Sequence, residues 1–206
     1  MPANNRNRII IRISFFAALT AVGAFIKIPL PPIPITLQTF FVIMSGNLLG
    51  FKYGAISQLL YLTIGLIGIP IFAYGGGPGY IFQPSFGYLL GYPVCAFTIG
   101  LLLNLFFSKN KVEKTSAPKL FFIIAACDLM GVFIIFIFGL VYFFANIKYG
   151  LYLNVANIAS IGLSWKSALT TALCLFVPID FLKVLLAAWL TVSLKRLSLF
   201  EDFFSS

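Results

Sequence analysis

The feature that most constrains this chain is a series of long apolar runs, several of them close to the length that crosses a lipid bilayer. A spanning helix needs roughly 20 predominantly apolar residues, and such runs recur along the chain between short polar, Pro-rich or Gly-rich breaks. Only 9% of the 206 residues are charged, whereas soluble domains carry about 25%. Helices satisfy their own backbone hydrogen bonds in lipid, and the short alternating segments of a β-barrel are absent. The sequence therefore predicts an all-α integral membrane protein.

The breaks divide the chain into a single compact bundle of six transmembrane helices. Prolines at the breaks remove backbone donors and glycines relax the chain, so the helices are interrupted there. The predicted helices cover residues 9–28, 37–49, 53–69, 85–107, 119–145 and 167–196. The second and third are short for a full span. The first lacks the small-residue cleavage site of a signal peptide, so we interpret it as a retained helix.

The basic residues predict the orientation of the bundle, because Lys and Arg near the ends of spans favour the cytoplasm. The side that holds both termini carries Arg6, Arg8, Arg12, Lys52, Lys109, Lys111, Lys114, Lys119, Lys195 and Arg196. The opposite side carries Lys27, Lys148 and Lys166. Both termini are therefore predicted to be cytoplasmic. Membrane topology also explains the net charge of +9 better than nucleic-acid binding does.

The loops predicted to face outwards are rich in proline, glycine, tyrosine and asparagine. They include PLPPIPIT at residues 29–36 and PIFAYGGGPGYIFQP at residues 70–84. Irregular backbone near membrane depth is tolerated where protein buries it or where it lines a cavity. The loops are either ordinary connectors or the roof of an outward-facing pocket, and their combination favours the pocket.

The last apolar segment, LFVPIDFLKVLLAAWL, keeps two full charges at membrane depth. A charge near the centre of a span costs roughly 2.5–3.5 kcal/mol, so such residues usually face the protein interior and serve a function. Asp180 and Lys183 lie three positions apart on one helical face, where they either neutralise each other or contact a ligand. Pro178 frees a backbone carbonyl near Cys174 as a further acceptor. This arrangement favours a small ligand with urea-like N–H donors and a carboxylate.

The residues needed for catalysis are missing from the sequence. There is no His, and the three cysteines are scattered without C-x-x-C spacing, which excludes His-based triads and zinc sites. The stretch FAYGGGPGY lacks the Gly-Lys-Ser/Thr end of a phosphate-binding loop. Asp128, in ACDLMG, has no basic neighbour in sequence and is given no role. The chain is therefore predicted not to be an enzyme.

Four stretches together resemble the BioY family, the biotin-specific substrate-binding (S) components of energy-coupling factor (ECF) transporters. They are AALTAVGAFIKIPLPPIPITLQTF, YLTIGLIGIPIFAYGGGPG, PSFGYLLGY and VPIDFLKVLLAAWL, and they follow the order found in the family. The specific parts are PITLQTF and the D-x-x-K of the last helix. The chain departs from the family in QPSFGY, where Ser85 and Phe86 replace a common Thr and Gly, and at Ala73, where some members have Asn.

The resemblance implies a multi-pass protein of a prokaryotic plasma membrane that captures biotin from outside with high affinity. It implies substrate contacts at Thr36, Gln38, Tyr74, Gly76, Gly77, Gly87, Tyr88, Asp180 and Lys183. Ala17 and Ala21 match the small-residue motif by which S components dock a transmembrane coupling protein, although small residues also serve internal packing. Two partner ATPase subunits would hydrolyse ATP, and this chain would bind no cofactor itself.

Two other functions remain open from the residues alone. A stand-alone secondary transporter would couple a small carboxylate-bearing solute to protons through Asp128 or Asp180, because acids inside a membrane often mark proton relays. A membrane enzyme is the weakest alternative, because neither a nucleophile with its base nor a metal cluster is evident.

Overall fold

The chain folds into a bundle of long helices with a small hairpin of strands. A computed structural model describes residues 3–30, 33–107, 115–149 and 165–196. Within these ranges the α-helices are α1 (Ala3–Phe25), α2 (Gln38–Ile67), α3 (Phe86–Phe106), α4 (Ala117–Tyr149) and α5 (Trp165–Arg196). Strands β1 (Lys27–Ile28) and β2 (Ile35–Thr36) pair antiparallel between α1 and α2, and a 3-10 helix (Pro78–Phe82) precedes α3. The all-helical class predicted from the sequence is confirmed.

A sharp reversal divides α2 at Gly50. The backbone of Gly50 is non-helical, with φ 74° and ψ −177°. Residues distant in sequence meet across the reversal, since Gln58 Nε2 lies 3.1 Å from Ser45 Oγ. A straight helix would separate two residues at that spacing by roughly 20 Å. The arms of α2, residues 38–49 and 51–67, therefore fold back against each other.

The observed helix boundaries differ from the predicted ones in α1, in α2 and at the end of α4, which reaches Tyr149 and not residue 145. The sequence separates helices 37–49 and 53–69 by a three-residue loop, whereas the structure joins them in α2 through Gly50, because glycine adopts a backbone that other residues avoid. Five helices are thus present in the described ranges where six were predicted. The first helix begins at Ala3 and ends at Phe25, because the following residues form β1. The predicted loops 108–118 and 146–166 fall largely outside the described residues.

The reversal at Gly50 gives a direct test of the fold. We expect Gly50→Ala to lower the free energy of unfolding by about 1–3 kcal/mol, since a residue with a Cβ rarely adopts this backbone. Nothing lies within 4 Å of a Cβ built at Gly50, so the cost comes from the backbone and not from crowding. Gly79→Ala is the matched control, because its Cβ also meets nothing and its φ is ordinary. Equal melting temperatures for the two variants in detergent would contradict the expectation.

Glycines bring α3 into close contact with both of its neighbours. A Cβ added at Gly100 of α3 would lie 2.1 Å from the backbone nitrogen of Phe51, at the reversal of α2. A Cβ added at Gly91 would lie 2.9 Å from the Cα of Ile135 in α4. In lipid the hydrophobic effect supplies no drive between helices, so close approach through small residues stabilises their packing. Glycines therefore allow α3 to pack closely against both α2 and α4.

The surface of the bundle is suited to lipid. Four segments in the described part of the chain are long and apolar enough to cross a membrane: Asn5–Phe25, Phe86–Phe106, Ala117–Asn146 and Val177–Leu194. Large apolar side chains point outwards from them, among them Ile11, Leu105 and Phe122. Water would penalise such a surface and hydrocarbon does not. The chain is a membrane protein.

Candidate functional site

A narrow cavity lies between α3 and α5, next to the segments that follow α1 and α2. Its lining is made of Ile33, Pro34, Thr36, Gln38, Thr39, Ala73, Tyr80, Ser85, Tyr88, Leu89, Tyr92, Ile135, Asp180 and Lys183. The lining combines a carboxylate, an ammonium group, an amide, hydroxyls and aromatic rings. Ligand sites in proteins typically have this composition, with a few polar groups set in an apolar wall.

The two charges of α5 face this cavity and also contact each other. Lys183 Nζ lies 2.6 Å from Asp180 Oδ1, and it donates a second hydrogen bond of 2.7 Å to the backbone carbonyl of Thr36. Both residues are buried. A buried pair avoids the cost of an isolated charge only where its hydrogen bonds are good, as they are here. The two alternatives left open by the sequence, a neutralised pair and a ligand contact, are therefore compatible.

Two polar side chains from the region around β2 extend the polar side of the cavity. Thr36 Oγ1 donates to Gln38 Oε1 at 3.0 Å, and Gln38 Nε2 donates to the hydroxyl of Tyr61 at 2.6 Å. Gln38 begins α2 and is almost fully buried. Thr36 and Gln38 thus line the cavity next to the charged pair, and the backbone carbonyl of Thr36 accepts a hydrogen bond from Lys183.

Tyrosines form the apolar wall of the cavity. Tyr88 and Tyr92 lie one turn apart on α3, so both rings point to the same side of the helix. Tyr80 enters from the 3-10 helix, and its hydroxyl lies 3.3 Å from Ser85 Oγ. Such rings offer large apolar faces together with polar edges. The lining therefore presents apolar ring faces and hydroxyl groups side by side.

Comparisons with known proteins identify the family. The BioY family model matches residues 1–199. The chain belongs to the BioY family. It is 38% identical over 187 residues to the "Probable biotin transporter BioY" of Lysinibacillus sphaericus, covering 91% of this chain and 86% of that protein. It is 32% identical over 191 residues to the "Biotin transporter BioY" of Thermotoga maritima, covering 92% and 97%.

A solved structure supports the same family at the level of the fold. The crystal structure of the S-component for biotin from an ECF-type ABC transporter superposes with a TM-score of 0.78 and 26% identity. The superposition covers 99% of each chain. The fold of this BioY protein is therefore similar to that of the S component.

The predicted site residues of this BioY protein fall into two groups. Thr36, Gln38, Tyr88, Asp180 and Lys183 all line the cavity. Gly87, Tyr74, Gly76 and Gly77 do not belong to the lining. The first group comes from four separate elements, which only the tertiary fold brings together.

Gly87 serves helix packing. A Cβ added there would lie 2.2 Å from Tyr142 Cβ and 2.8 Å from the carbonyl oxygen of Phe138, both on α4. Any larger residue would push α3 and α4 apart. Gly87 therefore allows its neighbour Tyr88 to sit at the cavity, without contacting the cavity itself.

The glycine-rich segment after α2 is held in place by its own backbone and by Lys27. Gly77 has φ 99°, and its N–H donates to the carbonyl of Gly65 at 2.7 Å. A Cβ at Gly76 would meet the Ile69 carbonyl oxygen at 2.3 Å. Lys27 bonds the Ala73 carbonyl and lies over the ring of Tyr74, 4.9 Å from its centroid. These contacts position Ala73 in the cavity lining.

Two of the three positions at which the sequence was interpreted to depart from the family line the cavity. Ser85 and Ala73 belong to the lining, and Ser85 contacts the Tyr80 hydroxyl. Phe86 is buried, with its ring 5.7 Å from that of Tyr142. The departures therefore change the surface beside the tyrosines and leave the charged pair unaltered.

Three of the lining and neighbouring tyrosines were not singled out from the sequence. Tyr92 follows Tyr88 by one helical turn, and that spacing is a signal that would have identified it. Tyr80 lies in the glycine-rich segment, whose path no periodicity fixes. Tyr61 lies behind Gln38 on the second arm of α2, and only the reversal at Gly50 brings it there.

The small residues of α1 divide between the inside and the outside of the bundle. Ala17 is 5% exposed and packs in the core, so its side chain contacts other residues of the bundle and not the outer surface. Ala21 is half-buried, while Ser14 and Ala18 are exposed. A small-residue stripe on the outer surface therefore runs through Ser14 and Ala18, with Ala21 at its edge.

Asp128 lies away from the cavity, in the packing between helices. It is fully buried, and its carboxylate accepts a hydrogen bond of 3.1 Å from Asn47 Nδ2. The same amide nitrogen lies 3.2 Å from the Thr191 hydroxyl. Asn47 thus joins α2, α4 and α5 through polar contacts.

Proposed function

We propose that this BioY protein captures biotin in the cavity between α3 and α5, as the substrate-binding S component of an ECF-type transporter. Its relatives are named biotin transporters. The observation that carries the proposal is the buried Asp180–Lys183 pair at the cavity surface, because a purely structural pair has no reason to border a cavity.

The chemistry of biotin complements the lining. Its cyclic urea has two N–H donors and a carbonyl acceptor, and its valerate tail ends in a carboxylate. Asp180 supplies an acceptor for a urea N–H, and Lys183 supplies a cation for an oxygen of the ligand, both as charge-assisted hydrogen bonds. The rings of Tyr88 and Tyr92 supply apolar surface for the fused rings and the tail. Thr36 and Gln38 complete the polar side.

The residues outside the lining act indirectly in this proposal. Gly76 and Gly77 shape the segment that carries Ala73 into the lining, Tyr74 holds Lys27 beside it, and Gly87 sets the spacing of α3 and α4. We therefore assign them to the formation of the pocket and not to contact with biotin. The protein binds no cofactor of its own in this proposal.

We further propose six membrane-embedded helical segments, with both termini in the cytoplasm of a prokaryote and the chain in the plasma membrane. The antiparallel arms of α2 support this count, because each arm runs through the bundle as a separate segment. The excess of Lys and Arg on the side of the termini supports the orientation. With this orientation the cavity opens to the outside.

The work of transport is proposed to come from partner subunits. The structural relative is named as part of an ECF-type ABC transporter, and no phosphate-binding loop motif is evident in this sequence. A transmembrane coupling protein and two ATPase subunits would complete the transporter. Release of biotin inside then requires that rearrangement of the complex lowers the affinity for biotin.

The decisive experiment is a calorimetric titration of the purified protein with biotin. We expect binding at micromolar or lower concentrations, and no heat at those concentrations would overturn the proposal. Uptake of biotin into proteoliposomes distinguishes an S component from a proton-coupled transporter. For an S component, we expect uptake only when the coupling module and ATP are present. Uptake by this chain alone, driven by a pH gradient, would instead favour a proton-coupled transporter. The pairing of Asp180 with Lys183 already weakens Asp180 as a proton carrier.

A further inference from the structure

Tyr61 does not line the cavity, but it is hydrogen-bonded to Gln38, which does. Tyr61 is fully buried on the second arm of α2. Its hydroxyl donates to the backbone carbonyl of Ile71 at 3.1 Å and accepts from Gln38 Nε2 at 2.6 Å. A phenol has one proton to donate. Because that proton goes to the Ile71 carbonyl, the Tyr61 oxygen presents only lone pairs to Gln38.

The hydrogen bond from Tyr61 to the Ile71 carbonyl determines the orientation of the Gln38 amide. Its NH2 group must face the Tyr61 oxygen, and its carbonyl oxygen then accepts from the Thr36 hydroxyl at 3.0 Å. The reversed amide would set its carbonyl oxygen against the lone pairs of Tyr61, a repulsive contact in a buried site. Gln38 thus presents one defined arrangement of donor and acceptor to the cavity that it lines.

The same hydrogen bonds continue to the charged pair. The backbone carbonyl of Thr36 accepts from Lys183 Nζ at 2.7 Å, and Lys183 pairs with Asp180 at 2.6 Å. An unbroken path therefore runs from the Ile71 carbonyl, in the segment after α2, to the two charges on α5. The ring of Tyr61 is itself held edge-on by Phe72, with centroids 5.4 Å apart.

We propose that Tyr61 is a positioning residue for ligand binding: it fixes the orientation of the Gln38 amide for a bound ligand that it does not touch. The inference rests on the proposed capture of biotin, and it adds a residue from outside the pocket to the determinants of affinity. Tyr61 is absent from the cavity lining, so it acts on binding indirectly, either through Gln38, as proposed, or through the segment that contains Ile71.

The test is a double-mutant cycle on biotin affinity. Tyr61→Phe removes the hydroxyl and keeps the ring, and we expect about tenfold weaker binding, the equivalent of one net hydrogen bond. Gln38→Ala should weaken binding by at least as much. In the Gln38→Ala background, Tyr61→Phe should cause no further loss, because the group through which it acts is gone. Calorimetric titration of the four proteins gives the coupling.

Tyr142→Phe is the matched control. The Tyr142 hydroxyl also donates to a backbone carbonyl of the segment after α2, at Ile81, and no hydrogen bond links it to a polar side chain of the cavity lining in the described residues. Tyr142→Phe therefore measures the effect of losing one hydrogen bond to that segment, without a change at Gln38. We expect a lower melting temperature for Tyr142→Phe with biotin affinity unchanged within about twofold, whereas Tyr61→Phe should change the affinity.

The outcomes separate the inference from the function on which it rests. Unchanged affinity in Tyr61→Phe, or losses from Tyr61→Phe and Gln38→Ala that simply multiply, would overturn the positioning role while biotin capture stands. An equal loss of affinity in Tyr142→Phe would also overturn it, since release of the segment would then explain the effect. Failure of the unaltered protein to bind biotin would overturn the proposed function and the inference together.

Discussion

Replacing both charges of α5, in the double variant Asp180→Leu/Lys183→Met, is expected to weaken biotin binding severely and to leave the protein folded. Removal of a whole buried ion pair in favour of apolar residues is often neutral or stabilising by about 1–4 kcal/mol. Each hydrogen bond to a charged group contributes about 1.5–3 kcal/mol, so the loss of both should weaken biotin binding by about 100-fold or more. Thermal unfolding and calorimetric titration of the double variant measure the two effects separately.

The single variants complete this experiment. Lys183→Met leaves the Asp180 carboxylate buried without its partner, and we expect a loss of stability of about 3–5 kcal/mol as well as of binding. Thr20→Val is the control for loss of a buried polar group elsewhere, since its hydroxyl lies 3.2 Å from Gln58 Oε1 and does not line the cavity. Biotin affinity in the double variant equal to that of the unaltered protein would show that the pair only braces α5.

Ala18→Trp is expected to eliminate ATP-driven uptake while biotin binding stays intact. Ala18 is exposed on α1, beside the half-buried Ala21. Small residues let helices of different proteins approach closely in lipid, and an indole would hold a docking helix away by several ångströms. Copurification with the coupling protein and uptake into proteoliposomes measure assembly and transport, and titration measures biotin binding.

A tryptophan introduced on a different lipid-facing helix is the control for the size of the new side chain. Val141 on α4 is 64% exposed, and Val141→Trp should bind and transport biotin normally because it lies on another helix. Ala17→Trp should lower stability instead, since Ala17 packs in the core. Full uptake by Ala18→Trp would contradict docking through this face of α1.

Features that depend on neighbouring residues within one helix could be predicted from the sequence, whereas contacts between distant segments could not. The charged pair could be identified from the sequence because a charge within an apolar run is costly and because three residues along a helix return to the same face. Thr36 and Gln38 came from the resemblance to the BioY family, and both lie in the cavity lining. Gly87 was expected at the pocket from a separate stretch, PSFGYLLGY, and in the structure it packs against α4.

The residues that the sequence did not single out owe their positions to contacts between distant segments. Tyr61 reaches Gln38 because α2 reverses at Gly50, and the sequence placed a three-residue loop there. Tyr80 reaches Ser85 because the segment after α2 is folded by positive-φ glycines. No periodicity within one element reports such contacts.

The membrane class of this protein, the approximate positions of most of its helices and the presence of two charges on one face of α5 could be predicted from the sequence alone. These follow from the cost of unpaired backbone and of charge in hydrocarbon, which act on each segment separately. The hydrogen bond from Lys183 to the carbonyl of Thr36, 147 residues away, and the position of both charges at a cavity could be seen only in the folded protein. Those arrangements depend on how α5 packs beside the segment that contains β2, which is a property of the packed bundle and not of any single helix.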